Sequence, residues 1–221
     1  SNYRVISVDL RNHGDSPHDS KMGLLSMAED MVELMDALSI DEAYFVGHSL
    51  GGKVAMQLAM TCPDRVTSLV VADMAPVRYE DNNINIINTL YNLTKVYIKD
   101  RKTADSFLSE HGIELSVRAF LLKNLRRNTA GNFEFKININ AIKASYESQI
   151  SVAPLGDVFN APCLFLKAEH SNYIKPHHIP IINTLFPQSS VQTVKAVGHW
   201  LHAEKPELFN QLVLQFITEN S

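Results

Sequence analysis

Ser49 lies in a Gly-x-Ser-x-Gly pattern that runs from Gly47 to Gly51. The apolar run before it, 43–46, is typical of a buried strand, and the small and apolar residues 53–60 after it are typical of a helix. Between a strand and a helix this pattern predicts a nucleophile elbow, a tight turn that projects the serine hydroxyl clear of the sheet. We expect glycine at 47 and 51 because a Cβ would not fit where strand, turn and helix meet. The alternative is a turn in which Ser49 only caps the helix.

A base for this serine is the next requirement, because a serine hydroxyl is a weak nucleophile at neutral pH and its base must in turn be oriented by an acid. Among nine histidines, His199 is the candidate base. It follows the last predicted strand, has Gly198 beside it and comes after the serine in the chain. His48 is adjacent to Ser49 and is expected to point elsewhere on the elbow; with Trp200 it is a candidate for contact with substrate.

Two acidic residues could orient the base. Asp73 ends the strand that follows the elbow helix, and Glu169 lies in the turn after a later strand, where Ser171 occupies the position expected for an aspartate. We favour Asp73 and keep Glu169 as the alternative acid. A structural interpretation of Asp73, as an Asx turn or helix cap before Pro76, also stays open.

An oxyanion formed at Ser49 would need two hydrogen-bond donors. The backbone amide of Leu50, at the start of the elbow helix, is one candidate. The second donor is expected from a His-Gly loop after an earlier strand, and His13-Gly14 follows the wrong strand to supply it. We therefore expect that strands which would precede this sequence in a whole domain are missing from its amino-terminal side.

Strands and helices alternate in a pattern that predicts a parallel, doubly wound α/β sheet. The predicted strands are Tyr3–Asp9, the elbow strand, Thr67–Ala72, Pro162–Lys167 and Ser190–Val197. In such a sheet ligands bind at the carboxyl ends of the strands, which is where Asp9, Ser49 and Asp73 lie. From 77 to 151 the pattern becomes mainly helical. We expect a core of 1–76 and 152–221 with 77–151 as a helical cap, or as packing helices without a lid role.

Composition excludes several other classes of protein. Lys and Arg total 20 against 24 Asp and Glu, a formal charge of -4, which gives no basic footprint for nucleic acid. No apolar run approaches the length of a membrane span and no signal peptide is recognisable. Two cysteines cannot form a disulfide framework, which favours a cytoplasmic location. No histidine spacing supports a metal site, and no cofactor is predicted. The oligomeric state cannot be predicted.

Three motifs together resemble the α/β-hydrolase superfamily, and in particular its small bacterial YbfF-type esterases. They are Gly47-His48-Ser49-Leu50-Gly51-Gly52-Lys53, Arg11-Asn12-His13-Gly14-Asp15-Ser16 and Gly198-His199-Trp200-Leu201-His202-Ala203-Glu204-Lys205-Pro206. The resemblance covers nearly the whole chain. It implies hydrolysis of carboxylic esters, with acyl thioesters such as acyl-CoA as substrates of relatives. It also implies a helical cap and an acid after the strand that follows the elbow helix, which favours Asp73.

The sequence thus predicts a serine esterase that acts on a small acyl ester or thioester. A thioesterase or a carbon–carbon bond hydrolase would use the same Ser-His-Asp triad, so the residues do not separate these reactions. The alternative from another class is a hydrolase fold that binds a ligand without turnover. The simultaneous presence of Ser49, His199 and Asp73 argues against it.

Overall fold

The computed structural model describes residues 3–80 and 83–221, and the chain divides into two compact units. One comprises Gly23–Tyr79 and Ser151–Ser221; the other comprises Ser1–Met22 and Glu80–Ile150. The predicted division differs in one substantial respect, because residues 1–22 group with the inserted segment and not with the predicted core. No helix among the described residues is both long and apolar enough to cross a bilayer.

A four-stranded parallel sheet forms the centre of the unit that contains Ser49. Its strands are β1 (Ala43–His48), β2 (Val66–Ala72), β5 (Cys163–Ala168) and β6 (Ser189–Val194), in the spatial order β1-β2-β5-β6. Nearly every residue of the two central strands is buried, as expected for parallel strands covered on both faces, whereas the two outer strands are half exposed. The parallel α/β fold predicted from the sequence is confirmed.

The register of the sheet aligns the ends of β1 and β2. His48 is opposite Ala72, and Ala72 is opposite Leu166. The residues that follow β1 and β2 are Ser49 and Asp73, so both begin their loops at the same edge. The sheet therefore carries these two side chains at its carboxyl edge.

Five helices surround this sheet. They are α1 (Leu24–Ala37), α2 (Leu50–Thr61), α7 (Ile179–Leu185), α8 (Leu201–Glu204) and α9 (Pro206–Glu219). The elbow helix α2 packs on β1, β2 and α1, and all residues from Gly52 to Met60 are buried. A helix that is buried on every side is part of the core, so α2 holds the turn at its start in a fixed position.

Lys53 is the charged residue within that buried helix and is only 3% exposed. Its Nζ donates to the carbonyl oxygens of Ser151 at 2.7 Å and Val152 at 2.6 Å. Burial, with a smaller effect of Arg78, lowers the pKa of Lys53 from 10.5 to about 7. A neutral amine still has two N–H groups, enough to satisfy both carbonyls. These hydrogen bonds connect α2 to residues 151–152, where the second chain segment of this unit begins.

The other unit contains four helices and a short hairpin among its described residues. The helices are α3 (Ile84–Leu93), α4 (Arg101–Glu110), α5 (Leu115–Leu121) and α6 (Ile139–Ser145), and the antiparallel strands are β3 (Leu125–Arg127) and β4 (Phe133–Phe135). Asn12 bonds to Asn138 through backbone and side chain, and Lys136 forms an ion pair with Asp15 at 2.7 Å. These contacts explain why the amino-terminal loop groups with the insert.

The predicted strand Tyr3–Asp9 is wrong. None of its residues is assigned to a strand, residues 4–9 are exposed, and Val5 is 79% exposed. β-Branched residues form a strand only where a neighbouring strand and a buried face stabilise them. Within the described ranges no strand pairs with this segment, so its high β propensity has no consequence here.

Candidate active site

Ser49 occupies a strained turn between β1 and α2. Its backbone has φ 53° and ψ -117°, a region that residues with a Cβ rarely adopt. The amide of Ser49 donates to the carbonyl oxygen of Ala72 at 3.2 Å, which fixes the turn to the end of β2. The side chain makes no capping hydrogen bond to the helix, so the interpretation of Ser49 as a helix cap is not supported. The geometry is that of a nucleophile elbow.

The glycines around Ser49 are needed at different positions from those predicted. A Cβ on Gly47 would lie 2.3 Å from the carbonyl oxygen of Gly51, so no side chain fits at 47. A Cβ on Gly51 would meet nothing within 4 Å, and the expectation for this residue is wrong. Gly52 is the tighter helical position, because its Cβ would lie 3.1 Å from the carbonyl oxygen of Gly47. The close approach of β1 to α2 therefore requires a glycine at 52 rather than at 51.

Asp73 is completely buried at the end of β2, with a backbone φ of 50°. Its Oδ1 accepts the amide of Ala168 at 3.0 Å, and its Oδ2 accepts Nδ1–H of His199 at 2.8 Å. Its own amide donates to the carbonyl oxygen of Leu166. These partners belong to β5 and to the loop after β6, so the carboxylate does not serve an Asx turn. Asp73 and His199 are brought together by the structure.

Glu169, the alternative acid, is engaged elsewhere. Its carboxylate accepts the amide of Ala196 at 2.7 Å and pairs with Lys195 at 3.0 Å. The Ala196 amide, followed by Lys195, lowers the pKa of this carboxyl group. Because Ala196 has φ 54°, Glu169 stabilises the turn that leads into the loop of His199. Its contribution is to hold this turn.

Two aromatic rings flank the imidazole of His199, whose side chain is 19% exposed. The ring of Tyr173 is stacked on it, with centroids 4.1 Å apart and an angle of 25° between the planes. The ring of His48 lies 4.6 Å away at 42°. Since Nδ1 donates to Asp73, Nε2 carries the lone pair and is the atom that could accept a proton.

His48 lies against the loop that carries His199. Its Nε2 donates to the carbonyl oxygen of His199 at 2.8 Å, and its ring contacts Trp200 and His202 at 5.5 and 4.4 Å between centroids. Burial, followed by the nearby His199 and His202, lowers the pKa of His48 to about 3. At neutral pH this ring is uncharged and serves as a hydrogen-bond donor. Contact of His48 or Trp200 with substrate stays a prediction.

Leu50 is the first residue of α2, so its amide lies among the unpaired N–H groups at a helix amino terminus. The helix dipole makes this end favourable for negative charge. Within the described ranges no three His, Cys, Asp or Glu side chains are grouped to hold a metal ion. Cys163 is buried, Cys62 is half-buried, and both are free thiols.

Sequence reasoning missed Tyr173 and Tyr79. The Tyr79 hydroxyl donates to the carbonyl oxygen of Tyr173 and accepts the amide of Ala75 at 2.9 Å. Tyr79 therefore links the loop after β2 to the loop after β5. Neither tyrosine belongs to a recognisable motif, and their role depends on a contact between residues 94 positions apart. The sequence shows only that Tyr79 follows the end of β2 and that Tyr173 follows the end of β5, which does not by itself predict a contact.

Comparison with known proteins places the chain in a family. Residues 1–206 match the family described as alpha/beta hydrolase fold. The sn-1-specific diacylglycerol lipase ABHD11 of Mus musculus is 36% identical over 220 residues, which cover 97% of this chain and 71% of that protein. Esterase YbfF of Escherichia coli (strain K12) is 31% identical over 220 residues, covering 99% of this chain and 84% of that protein. A solved structure described as a marine microorganism esterase has a TM-score of 0.88 and 38% identity, over 94% of this chain and 82% of its own. The predicted resemblance is thereby confirmed, and this chain belongs to the α/β-hydrolase family.

Proposed function

We propose that this chain, a carboxylic ester hydrolase like its named relatives, cleaves acyl esters through a Ser49–His199–Asp73 triad and an acyl-enzyme intermediate. The observation that carries the proposal is the 2.8 Å hydrogen bond from His199 Nδ1 to the buried Oδ2 of Asp73. It supplies an oriented base at the sheet edge where the strained Ser49 begins its loop.

Acylation begins when Nε2 of His199 takes the proton of the Ser49 hydroxyl as its oxygen attacks the ester carbonyl. The negative charge on the former carbonyl oxygen is stabilised by the Leu50 amide at the amino terminus of α2. The tetrahedral intermediate collapses as His199 gives its proton to the leaving alcohol. Water then repeats these steps on the acyl-enzyme, releasing the acid and restoring Ser49.

The electrostatics around the base favour this sequence. The imidazolium formed during attack faces the ionised Asp73, which stabilises the positive charge without taking the proton. His48 is neutral at the working pH because of its lowered pKa, so it adds no second positive charge beside His199. A charge at position 48 therefore does not oppose the formation of the imidazolium.

The predicted cap, 77–151, is part of the proposal. Ester hydrolysis is favoured over the thioesterase and carbon–carbon hydrolase alternatives because the relatives described above are a lipase and an esterase. These alternatives are distinguished by comparing p-nitrophenyl esters, acyl-CoA and a vinylogous diketone as substrates.

Replacement of Ser49 tests the proposal. Ser49→Ala should lower kcat for p-nitrophenyl acetate by about 10⁴-fold or more and abolish labelling by a fluorophosphonate probe. Ser109→Ala, at an exposed position of α4, is the matched control and should retain both. Near-wild-type turnover by folded Ser49→Ala would remove this serine from the mechanism. Folded wild-type protein that binds esters but is silent to the probe would instead identify a binding protein.

A further inference from the structure

The ring of Tyr173 packs on one face of the His199 imidazole. It constrains the imidazole in a direction that the hydrogen bond to Asp73 does not. The Nδ1–Oδ2 bond fixes the direction of one ring atom but leaves the imidazole free to rock about the axis of that bond. The ring of Tyr173, stacked at 4.1 Å and 25°, opposes this rocking. On this geometry the direction of Nε2 depends on the hydrogen bond to Asp73 and on the rings packed against the imidazole, of which the Tyr173 ring is the more nearly parallel.

The loop of Tyr173 is itself firmly held. The carbonyl oxygen of Tyr173 accepts the hydroxyl of Tyr79 and contacts Nδ1 of His178 at 3.1 Å. Its amide donates to Oγ of Ser171 at 3.2 Å, and the next residue, Ile174, is completely buried. The aromatic ring therefore projects from a backbone that is fixed on both sides.

Tyr79 connects this loop with the loop that begins at Asp73. Its hydroxyl accepts the amide of Ala75, two residues beyond Asp73, and donates to Tyr173. Tyr79 is 9% exposed, and burial raises the pKa of its hydroxyl, which therefore stays protonated as a donor. Because the same hydroxyl bonds to both loops, it fixes the position of Asp73, which binds Nδ1 of His199, relative to the ring of Tyr173, which packs on the imidazole.

We propose that Tyr173 is a positioning residue that fixes the plane of the His199 imidazole so that Nε2 faces Ser49. The inference rests on the proposed triad and extends it to a residue that acts through His199. The aromatic face carries the effect, and the Tyr79 hydroxyl holds the loop in place. A ring misplaced by about 1 Å can lower the rate about 10²-fold, which sets the scale of the expected loss.

Three variants test the proposal with p-nitrophenyl acetate, a substrate small enough to make few contacts of its own. Tyr173→Leu should lower kcat about 10- to 100-fold with KM within a factor of about two, and slow fluorophosphonate labelling in parallel. Tyr173→Phe keeps the ring and should restore kcat to within about three-fold of wild type. Tyr79→Phe, which removes the tether, should give a smaller loss of kcat.

Thermal unfolding of each variant separates positioning from folding, and Tyr97→Leu, at a 75% exposed position of the other unit, controls for loss of a tyrosine. Wild-type kcat in folded Tyr173→Leu would overturn the proposal, as would a rise in KM that grows with acyl length at constant kcat, which would make Tyr173 a substrate contact. In either case, inactive Ser49→Ala beside active wild type would leave the triad standing. An active Ser49→Ala would show that the triad itself is wrong.

Discussion

His48 donates a hydrogen bond from Nε2 to the backbone carbonyl oxygen of His199, over 2.8 Å. The residue before the candidate nucleophile thus holds the loop of the candidate base. Because the pKa of His48 is lowered to about 3, this donor keeps the same protonation state across the neutral range. The contact is a fixed part of the site at the pH where an ester would be cleaved.

Acid sensitivity should follow from this buried histidine. Between pH 6.5 and about 3 the unfolded chain binds a proton at position 48 that the folded protein excludes, so the free energy of unfolding falls as pH decreases through this window. His48→Gln, which can still donate to His199, should remove this contribution. Urea unfolding at pH 7, 6 and 5 should show a flatter profile for the variant, by up to about 1.4 kcal/mol per pH unit. Parallel profiles would contradict the burial of a neutral His48.

Lys53 should give a second window of the same sign at higher pH. Between about pH 7 and 10.5 the unfolded lysine keeps a proton that the folded one has lost, so the free energy of unfolding rises with pH. Lys53→Met should lose this rise, which is up to about 1.4 kcal/mol per pH unit, in denaturant unfolding at pH 7, 8 and 9. Lys102→Met, at an exposed position of α4, should follow wild type. A Lys53→Met profile that rises as steeply as wild type would show that Lys53 is charged in the folded state.

Replacing each candidate acid should distinguish Asp73 from Glu169. Asp73→Asn can still accept the Ala168 amide but favours the wrong tautomer of His199, so kcat should fall about 10³- to 10⁴-fold. Glu169→Gln can still accept the Ala196 amide and should stay within about three-fold of wild type. Steady-state kinetics with p-nitrophenyl acetate at pH 7.5 measures both. A large loss in Glu169→Gln with a small one in Asp73→Asn would reverse the assignment.

The elbow glycines should respond very differently to alanine. Gly47→Ala places a Cβ 2.3 Å from a backbone oxygen, so the turn must move and the free energy of unfolding should fall by about 3 kcal/mol or more. Gly51→Ala meets open space inside a helix and should change stability by less than about 1 kcal/mol, in the stabilising direction. Chemical denaturation of the two variants is the measurement. Similar losses in both would mean that the turn is not packed as described.

Sequence patterns predicted the elements of the sheet because burial on both faces leaves a clear apolar signature. Residues 163–168 and 66–72 are almost wholly buried strands, and the sequence predicted both within about two residues. The segment Tyr3–Asp9 has an equally strong β pattern, but no strand lies beside it among the residues that the structure describes. Pairing is a property of the neighbour as well as of the segment, so the pattern alone was misleading there.

For the candidate site, chain order and strand ends selected Ser49, His199 and Asp73 as a predicted triad; the register aligns the strand ends before Ser49 and Asp73, and a hydrogen bond joins Asp73 to His199. The residues that support His199 from neighbouring loops could not be predicted in this way. Tyr173 acts on His199 through a loop conformation that depends on Tyr79, and Glu169 stabilises a turn with positive φ at Ala196. Such contacts depend on tertiary packing and produce no recognisable spacing of residues in the sequence.

The hydrogen bond from the Ala168 amide to Oδ1 of Asp73 restricts how this arrangement could evolve. Transferring the acid to the turn after β5, where Ser171 lies, would require an intermediate. Losing the side-chain acceptor at 73 first would leave the buried Ala168 amide unsatisfied, at a cost of about 1–3 kcal/mol. Gaining a second carboxylate first would set like charges around a single imidazole. Both single changes carry a physical cost, so the backbone of β5 favours keeping the acid at position 73.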